Sequence, residues 1–173
     1  DGSRIEHTTV ENIAAHFIKE LKQAKPQGPY LLTGYSFGGI VAYEMAQQLT
    51  ATGDDVPMLV LLDTYAPALH QQAIASDTKF YDPLKKSILR GIVKRALKNG
   101  GTVPTRWRNF HIIDTYDKAV LSYRPKPYTG KLTVLKAATS WGPKEMGWSE
   151  LAQGGLDVQV VPGDHYNMIK EPN

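Results

Sequence analysis

A five-residue turn is the feature that most constrains the fold of this chain. Gly34-Tyr35-Ser36-Phe37-Gly38 matches the pattern G-x-S-x-G, follows the apolar run Tyr30–Thr33, and opens a segment whose apolar spacing predicts a helix to Thr50. On such a turn the serine has a strained backbone and its hydroxyl stands above the carboxyl end of a sheet. We expect side chains two positions before and after the serine to collide with the neighbouring strand and helix. The pattern predicts Ser36 as a nucleophile and the backbone N–H of Phe37 as an oxyanion donor.

A glycine-rich turn after a strand can alternatively bind a phosphate group. That interpretation needs a G-x-G-x-x-G pattern or a loop that carries a lysine, and residues 34–39 provide neither. The nucleophile interpretation is therefore favoured.

Strands alternate with helices along the chain. Three further segments have strand length: Met58–Leu62, Lys131–Lys136 and Asp157–Val161. The first is continuously apolar, which favours a strand buried on both faces of a parallel sheet. Helices are predicted at 9–24, 83–98, 107–121 and 148–153, the first capped by Thr9. The alternation predicts an α/β fold, and the long stretch between the second and third strands predicts a helical insertion over one end of the sheet.

A serine nucleophile needs a histidine base and an acid that orients it, in the chain order serine, acid, histidine on this kind of turn. Of five histidines, His165 lies just after the last predicted strand, where its loop can reach the serine. Asp63 ends the strand beside the serine's own strand and is the favoured acid. Asp164 is the alternative acid because it adjoins His165. Neighbouring residues in an extended loop tend to point apart, however, so Asp164 is poorly placed to hold the imidazole. Asp114 lies in the insertion.

The composition excludes several classes of protein. There are no cysteines, which removes disulfides, cysteine zinc sites and a thiol nucleophile and fits a cytoplasmic protein. No apolar run approaches the length of a transmembrane helix, and the start of the sequence lacks the pattern of a signal peptide. The net charge of +3 is too small to argue for nucleic-acid binding. We expect no bound metal or cofactor.

With Ser36, Asp63 and His165 in view, the sequence resembles the type I thioesterase domains of nonribosomal peptide synthetases and polyketide synthases, within the α/β-hydrolases. The resemblance rests on several short runs that together cover nearly the whole chain: Gly28-Pro29-Tyr30, Gly34 to Gly39 with Ala42-Tyr43-Glu44, Leu61-Leu62-Asp63, Tyr123-Arg124-Pro125, Pro127 to Gly130, Gly147-Trp148, and Val161 to His165 with Met168.

The resemblance implies an activity in secondary metabolite biosynthesis. An acyl or peptidyl chain arrives as a thioester on the phosphopantetheine arm of a carrier protein. Ser36 attacks it, His165 acts as general base, and Asp63 orients the imidazole. Water or an internal nucleophile then releases the chain by hydrolysis or macrocyclisation. One domain over 1–173 is expected, with a lid insertion at about 70–122 that shapes the acyl pocket.

The resemblance also implies more chain than is present before the serine. Several strands and one donor of the oxyanion hole normally precede the serine's strand in this family. We therefore expect a partial fold in which that strand has an uncovered edge.

The insertion is strongly basic. No acidic residue occurs from 83 to 113, and the segment contains Lys85, Lys86, Arg90, Lys94 and Arg95 among its cations. A solvated surface explains this most simply. A docking face for an acidic carrier protein is the sharper hypothesis, and a membrane-surface role is disfavoured.

Two other functions stay open at this point. The same three residues would serve an esterase, lipase or peptidase acting on free substrates. A non-catalytic binding remnant of the fold is the alternative from a different class.

Overall fold

The computed structural model describes residues 5–76 and 83–170. Strands and helices alternate along them in the order α1 (Val10–Ala24), β1 (Leu31–Tyr35), α2 (Phe37–Ala51), β2 (Met58–Leu62), α3 (Pro67–Ser76), α4 (Pro83–Ala96), α5 (Thr105–Ser122), β3 (Leu132–Ala137) and β4 (Leu156–Val161). A single 3₁₀ turn, Lys98–Gly100, follows α4.

The four strands form one parallel sheet in the order β1-β2-β3-β4, which confirms the predicted parallel α/β architecture. The carboxyl ends of all four strands therefore meet at one edge. Ser36 and Asp63 follow the first two strands directly, and His165 lies in the loop after the fourth. In the described residues β1 is an outer strand of the sheet, and Leu31 on it is 64% exposed.

The first helix begins and packs as its sequence predicts. The Thr9 hydroxyl accepts a hydrogen bond from the backbone N–H of Asn12 at 3.2 Å, which satisfies one of the unpaired donors at the helix start. Ile13 and Ala14 are buried against Val41 of α2. Helix α1 therefore lies on α2 and fixes the helix that the serine opens.

The main core lies between α2 and one face of the sheet. Tyr43 and Leu49 of α2 are fully buried with Leu59, Leu61 and the neighbouring residues of β3. The opposite face of β2 is only half-buried, and Met58 at its start is 40% exposed. The prediction that β2 is buried on both faces is therefore wrong in the described residues, because the core covers only the Leu59–Leu61 side.

The predicted helix at 148–153 is also wrong, since this segment is a series of turns. Ala152 pairs with Tyr128 in an isolated parallel bridge, and the N–H of Tyr128 donates to the carbonyl of Leu151 at 2.7 Å. The N–H of Gln153, which a helix would bond to the carbonyl of Ser149, donates instead to the carbonyl of Tyr128 at 2.9 Å. Trp148 at the start of the segment is fully buried, and its indole N–H donates to the carbonyl of Thr64 at 2.7 Å.

The insertion between β2 and β3 is helical, as predicted, with α4 and α5 close to their expected bounds. Helix α3 was missed by the sequence analysis, and residues 77–82 of the predicted lid lie outside the described residues. Val93 of α4 is buried with Val103 and Phe110, which fastens α4 to α5. None of the helices within 5–76 and 83–170 has the length and apolar character needed to cross a membrane.

Candidate active site

Ser36 occupies a sharp turn between β1 and α2. Its backbone has φ 55° and ψ −126°, a conformation that costs a non-glycine residue about 1–3 kcal/mol. The turn is held because the N–H of Ser36 donates to the carbonyl of Leu62 at 3.0 Å and the Thr64 hydroxyl donates to the carbonyl of Ser36 at 3.1 Å. Although Ser36 is the N-cap of α2, its side chain makes no capping hydrogen bond. The strained serine predicted from the sequence is confirmed.

The glycines of the turn do not all have the role predicted for them. A Cβ on Gly34 would lie 2.3 Å from the carbonyl oxygen of Gly38, so the collision predicted there is confirmed. A Cβ on Gly38 would meet nothing within 4 Å, so the prediction of a collision at that position is wrong. The crowded glycine of the helix is Gly39, whose Cβ would lie 2.1 Å from the hydroxyl oxygen of Thr64. Sequence reasoning had no signal for it, because Thr64 is distant along the chain.

Asp63 and His165 form a close pair. The Oδ2 of Asp63 lies 2.7 Å from Nδ1 of His165, and the Asp63 side chain is completely buried. Asp63 has a left-handed backbone with φ 43°, which turns it away from the direction of β2. The structure therefore brings together the favoured acid and the favoured histidine, 102 residues apart in the sequence.

Asp164 is used by its own loop. One oxygen of its carboxylate accepts the N–H groups of Tyr166 at 2.7 Å and Asn167 at 3.0 Å, and the other accepts the side-chain amide of Asn167 at 3.1 Å. These bonds shape the turn that presents His165. Asp164, the alternative acid in the sequence analysis, therefore stabilises the loop that carries His165.

Tyr35 and Ser140 contact the histidine and the acid, and sequence reasoning missed both. The Tyr35 ring stacks on the His165 ring with centroids 4.8 Å apart, and its hydroxyl donates to the carbonyl of His165. Burial raises the pKa of Tyr35, and the Asp63 charge raises it further, so this phenol is a donor at neutral pH. The Ser140 hydroxyl donates to Oδ2 of Asp63 at 2.6 Å. Tyr35 stands at an unspecified position of the G-x-S-x-G pattern and Ser140 lies in none of the motifs, so the sequence assigned a role to neither.

A cavity of about 550 Å³ contains the Ser36, Asp63 and His165 side chains. Its other walls carry several aromatic and small polar side chains: Tyr65, His70, Thr139, Ser140, Trp141, Asp164 and Tyr166. The Tyr65 and Trp141 rings stack with centroids 5.0 Å apart. This volume is within the range of small-molecule sites in proteins, so the three side chains share a space that admits a substrate.

A second, smaller cavity of about 190 Å³ lies between Ser36 and helix α5, with Phe37, Ile113 and Tyr116 among its walls. Ser36 and His70 line both cavities. Burial lowers the pKa of His70, and the positive charge that His165 can carry lowers it further, so His70 is neutral at pH 7. Ser36 and the neutral His70 therefore lie between the two cavities.

Phe37 is the first residue of α2, as the prediction of an oxyanion donor requires. Its ring stacks on Tyr116 of α5 with centroids 4.2 Å apart and an interplanar angle of 7°. Its N–H lies in the first turn, where helix N–H groups have no partner within the helix and the helix dipole is positive. The ring contact fixes this turn against α5.

The basic residues of the lid differ in what they contact. Arg90 forms an ion pair with the buried Asp114, with Nη2 and Oδ1 2.7 Å apart, and Lys118 contacts the other oxygen at 2.6 Å. Burial opposes ionisation of Asp114, but the hydrogen bonds from Arg90 and Lys118 outweigh it and hold its pKa below the usual range. Arg90 therefore links α4 to α5. Lys94 and Arg95 lie on the exposed surface of α4.

The described part of the chain contains no group of three or more histidine, aspartate or glutamate side chains arranged to hold a metal ion.

Comparisons with known proteins agree with this architecture. The sheet, the serine turn and the flanking helices define an α/β-hydrolase fold. The family model of the thioesterase domain matches residues 2–173, so the chain belongs to the thioesterase domain family.

Two curated relatives are a polyketide synthase and a synthetase. The chain is 28% identical to the non-reducing polyketide synthase terA of Aspergillus terreus, covering 96% of this chain and 9% of the relative. It is 26% identical to malpibaldin synthetase of Mortierella alpina, covering 98% of this chain and 3% of the relative. The chain thus spans less than a tenth of the length of these relatives.

This chain is also similar to solved structures of the same family. A NocB thioesterase domain in covalent complex with a fluorophosphonate nocardicin G analogue is 28% identical, with a TM-score of 0.66 over 97% of this chain and 70% of that one. A four-domain nonribosomal peptide synthetase bound to AMP and glycine is 25% identical, with a TM-score of 0.69 over 94% of this chain and 15% of that one. The chain is therefore a thioesterase domain of the polyketide and nonribosomal peptide synthetase type.

Proposed function

We propose that this domain releases an acyl or peptidyl chain from the phosphopantetheine thioester of a carrier protein through a covalent acyl-enzyme on Ser36. The observation that carries the proposal is the placement of Ser36, His165 and Asp63 in one cavity, with Asp63 and His165 2.7 Å apart. A serine hydroxyl that does not cap its helix is available to the histidine. The relatives in multidomain synthases support a carrier-bound substrate.

In the proposed first step the Ser36 oxygen attacks the thioester carbonyl carbon while His165 takes the hydroxyl proton. The carbon–sulfur bond breaks, and the thiolate of the pantetheine arm leaves with the proton from His165. The Asp63 carboxylate orients the imidazole and stabilises its positive charge, since it is buried and contacts Nδ1. The backbone N–H of Phe37 stabilises the oxyanion.

In the second step His165 takes a proton from the incoming nucleophile, which attacks the ester carbon; the bond between that carbon and the Ser36 oxygen breaks, and the oxygen takes the proton from His165. A water molecule gives a free acid, and a hydroxyl or amine of the acyl chain gives a ring. The step uses only side chains of this chain, so we propose that the domain binds no cofactor of its own. Mass analysis of the released product distinguishes the two outcomes.

A fluorophosphonate probe and a carrier-bound acyl thioester test the acyl-enzyme. We expect one phosphonate adduct on the native chain, located on Ser36, and loss of both adduct and turnover in Ser36→Ala. Ser149→Ala is the matched control, because Ser149 is an exposed serine outside the cavity. Turnover that survives in Ser36→Ala would overturn the proposal.

The same experiment separates the alternative functions. Free oxygen esters that turn over as fast as carrier thioesters would favour a general esterase. A native chain that neither reacts with the probe nor turns over would favour a non-catalytic remnant.

We also propose that the carrier protein docks on the basic surface of α4. Lys85, Lys94 and Arg95 are exposed there, and the apolar side chains of Leu84 and Ile88 are 67% and 55% exposed beside them. Exposed cations around apolar residues suit a partner with an acidic, partly apolar face. Of the five cations predicted for docking, Arg90 is better explained by its ion pair with Asp114.

Charge reversal tests the docking surface. We expect Lys94→Glu/Arg95→Glu to weaken carrier binding at low salt and to reduce its salt dependence. The control is Lys19→Glu/Lys131→Glu, which makes the same change in net charge at exposed positions outside the lid. Equal affinities of the two double variants would contradict docking on α4.

A further inference from the structure

The buried carboxylate of Asp63 has two partners besides the histidine. Its Oδ1 accepts the N–H of Ala137 at 3.0 Å, and its Oδ2 accepts the Ser140 hydroxyl at 2.6 Å as well as contacting Nδ1 of His165 at 2.7 Å. Two donors therefore share one carboxylate oxygen. We propose that Ser140 is a positioning residue, which holds Asp63 in the orientation that aims His165 at Ser36. This inference rests on the proposed function.

Ser140 is itself held by the turn after β3. Its N–H donates to the carbonyl of Ala137 at 3.1 Å, and the buried Lys136 ammonium donates to its carbonyl. The hydroxyl therefore starts from a fixed backbone. A fixed donor orients a partner more effectively than a mobile one, because less conformational entropy is lost when the bond forms.

The same turn is also joined to the loop that carries His165. The N–H of Ala138 donates to the carbonyl of Val161 at 2.9 Å, and the N–H of Thr139 donates to the carbonyl of Gly163 at 3.3 Å. The turn thus contacts the acid through Ser140 and the histidine loop through its backbone. A substitution at Ser140 alters the contact with Asp63 and leaves the backbone hydrogen bonds to the histidine loop in place.

The physical role of the hydroxyl follows from the charge of its partner. Asp63 is buried, and burying a polar group is unfavourable unless it is hydrogen-bonded. Ala137 holds Oδ1 and His165 contacts Oδ2, and the Ser140 hydroxyl adds a second contact on Oδ2. The added donor further restricts rotation of the carboxylate about its Cβ–Cγ bond, and the imidazole follows the plane of the carboxylate.

The experiment compares Ser140→Ala, Ser140→Thr and Ser149→Ala on a carrier-bound thioester. A hydrogen bond to a charged group contributes about 1.5–3 kcal/mol, so we expect kcat to fall about 10- to 100-fold in Ser140→Ala with KM unchanged. Ser140→Thr keeps the hydroxyl and should recover most of kcat. Ser149→Ala makes the same substitution at an exposed position outside the cavity and should behave as the native chain.

A spectroscopic readout separates positioning from general loss of structure. The proton resonance of the His165 Nδ1–H should move downfield in Ser140→Ala, because Oδ2 loses a competing donor and becomes a stronger acceptor for the imidazole. It should stay unchanged in Ser149→Ala. This measurement also applies if Ser140→Ala is less stable, provided that the chain is folded at the temperature used.

Three results would overturn the inference. A raised KM with unchanged kcat would make Ser140 a substrate contact, equal losses in Ser140→Ala and Ser149→Ala would make the effect unspecific, and an unmoved resonance would exclude the shared oxygen. Each of these leaves the proposed function intact if Ser36→Ala is inactive. Failure of the proposed function would instead appear as turnover without Ser36.

Discussion

The crowding at Gly34 gives the sharpest test of how this chain presents its serine. Replacing Gly34 by alanine would place a Cβ 2.3 Å from the carbonyl oxygen of Gly38, which is about 1.1 Å closer than the 3.4 Å at which ordinary contacts begin. The next atoms, the carbonyl carbon of Gly38 at 2.5 Å and the Cα of Gly39 at 2.6 Å, are also backbone. No side chain can rotate to relieve this contact, so helix α2 must move away from β1.

The expected losses in stability and in rate follow from that displacement. Overpacking costs about 1–3 kcal/mol where neighbours can adjust, and a backbone obstacle puts Gly34→Ala at the upper end, about 3 kcal/mol in the free energy of unfolding. This is less than the total stability of an ordinary domain, so the variant should still fold. A shift of about 1 Å at a reacting group costs about 100-fold in rate, and the expected movement of Ser36 and Phe37 is of that size.

Gly38→Ala is the matched control, since its Cβ would meet nothing within 4 Å and its position is in the first turn of a helix. Its stability should be unchanged or higher by up to about 1 kcal/mol, because alanine is the better helix former. Urea unfolding and the rate of fluorophosphonate labelling measure both variants. If Gly34→Ala unfolds at the same urea concentration as Gly38→Ala and is labelled at the native rate, the explanation of this turn by crowding is refuted.

Two further predictions concern pH. Arg90→Met should destabilise the chain by about 1.5 kcal/mol at pH 7, since Arg90 is half-exposed and Lys118 stays on Asp114. The pKa of Asp114 is held below its usual 3.8, so the difference in the free energy of unfolding between Arg90→Met and the native chain should shrink as the pH falls through and below that value. If that difference stayed constant from pH 7 to pH 3, the ion pair would be contradicted. The pKa of His70 is lowered from 6.5, so the unfolded state binds its proton first and the native chain should lose stability as the pH falls through 6.5. His70→Gln should remove that part of the pH dependence, which urea unfolding at pH 5 and 7.5 measures.

Features that depend on local pattern could be predicted from the sequence. The glycine pattern after an apolar run predicted the strained turn at Ser36, because only a few backbone conformations connect a strand to a helix without a loop. Chain order and strand ends selected Asp63 and His165, because parallel strands bring their carboxyl ends to one edge. Asp164 was set aside, and in the structure its carboxylate bonds its own turn while Asp63 contacts His165.

Only the tertiary structure decided which side chains meet across the fold. Ser140 lies 77 residues from Asp63 along the chain, so no local pattern pointed to their hydrogen bond. The crowding at Gly39 depends on Thr64, and the use of Arg90 in an ion pair depends on Asp114 of the next helix. The physical reason is the same each time: backbone conformation is set mainly by neighbours in sequence, whereas contacts are set by how finished elements pack.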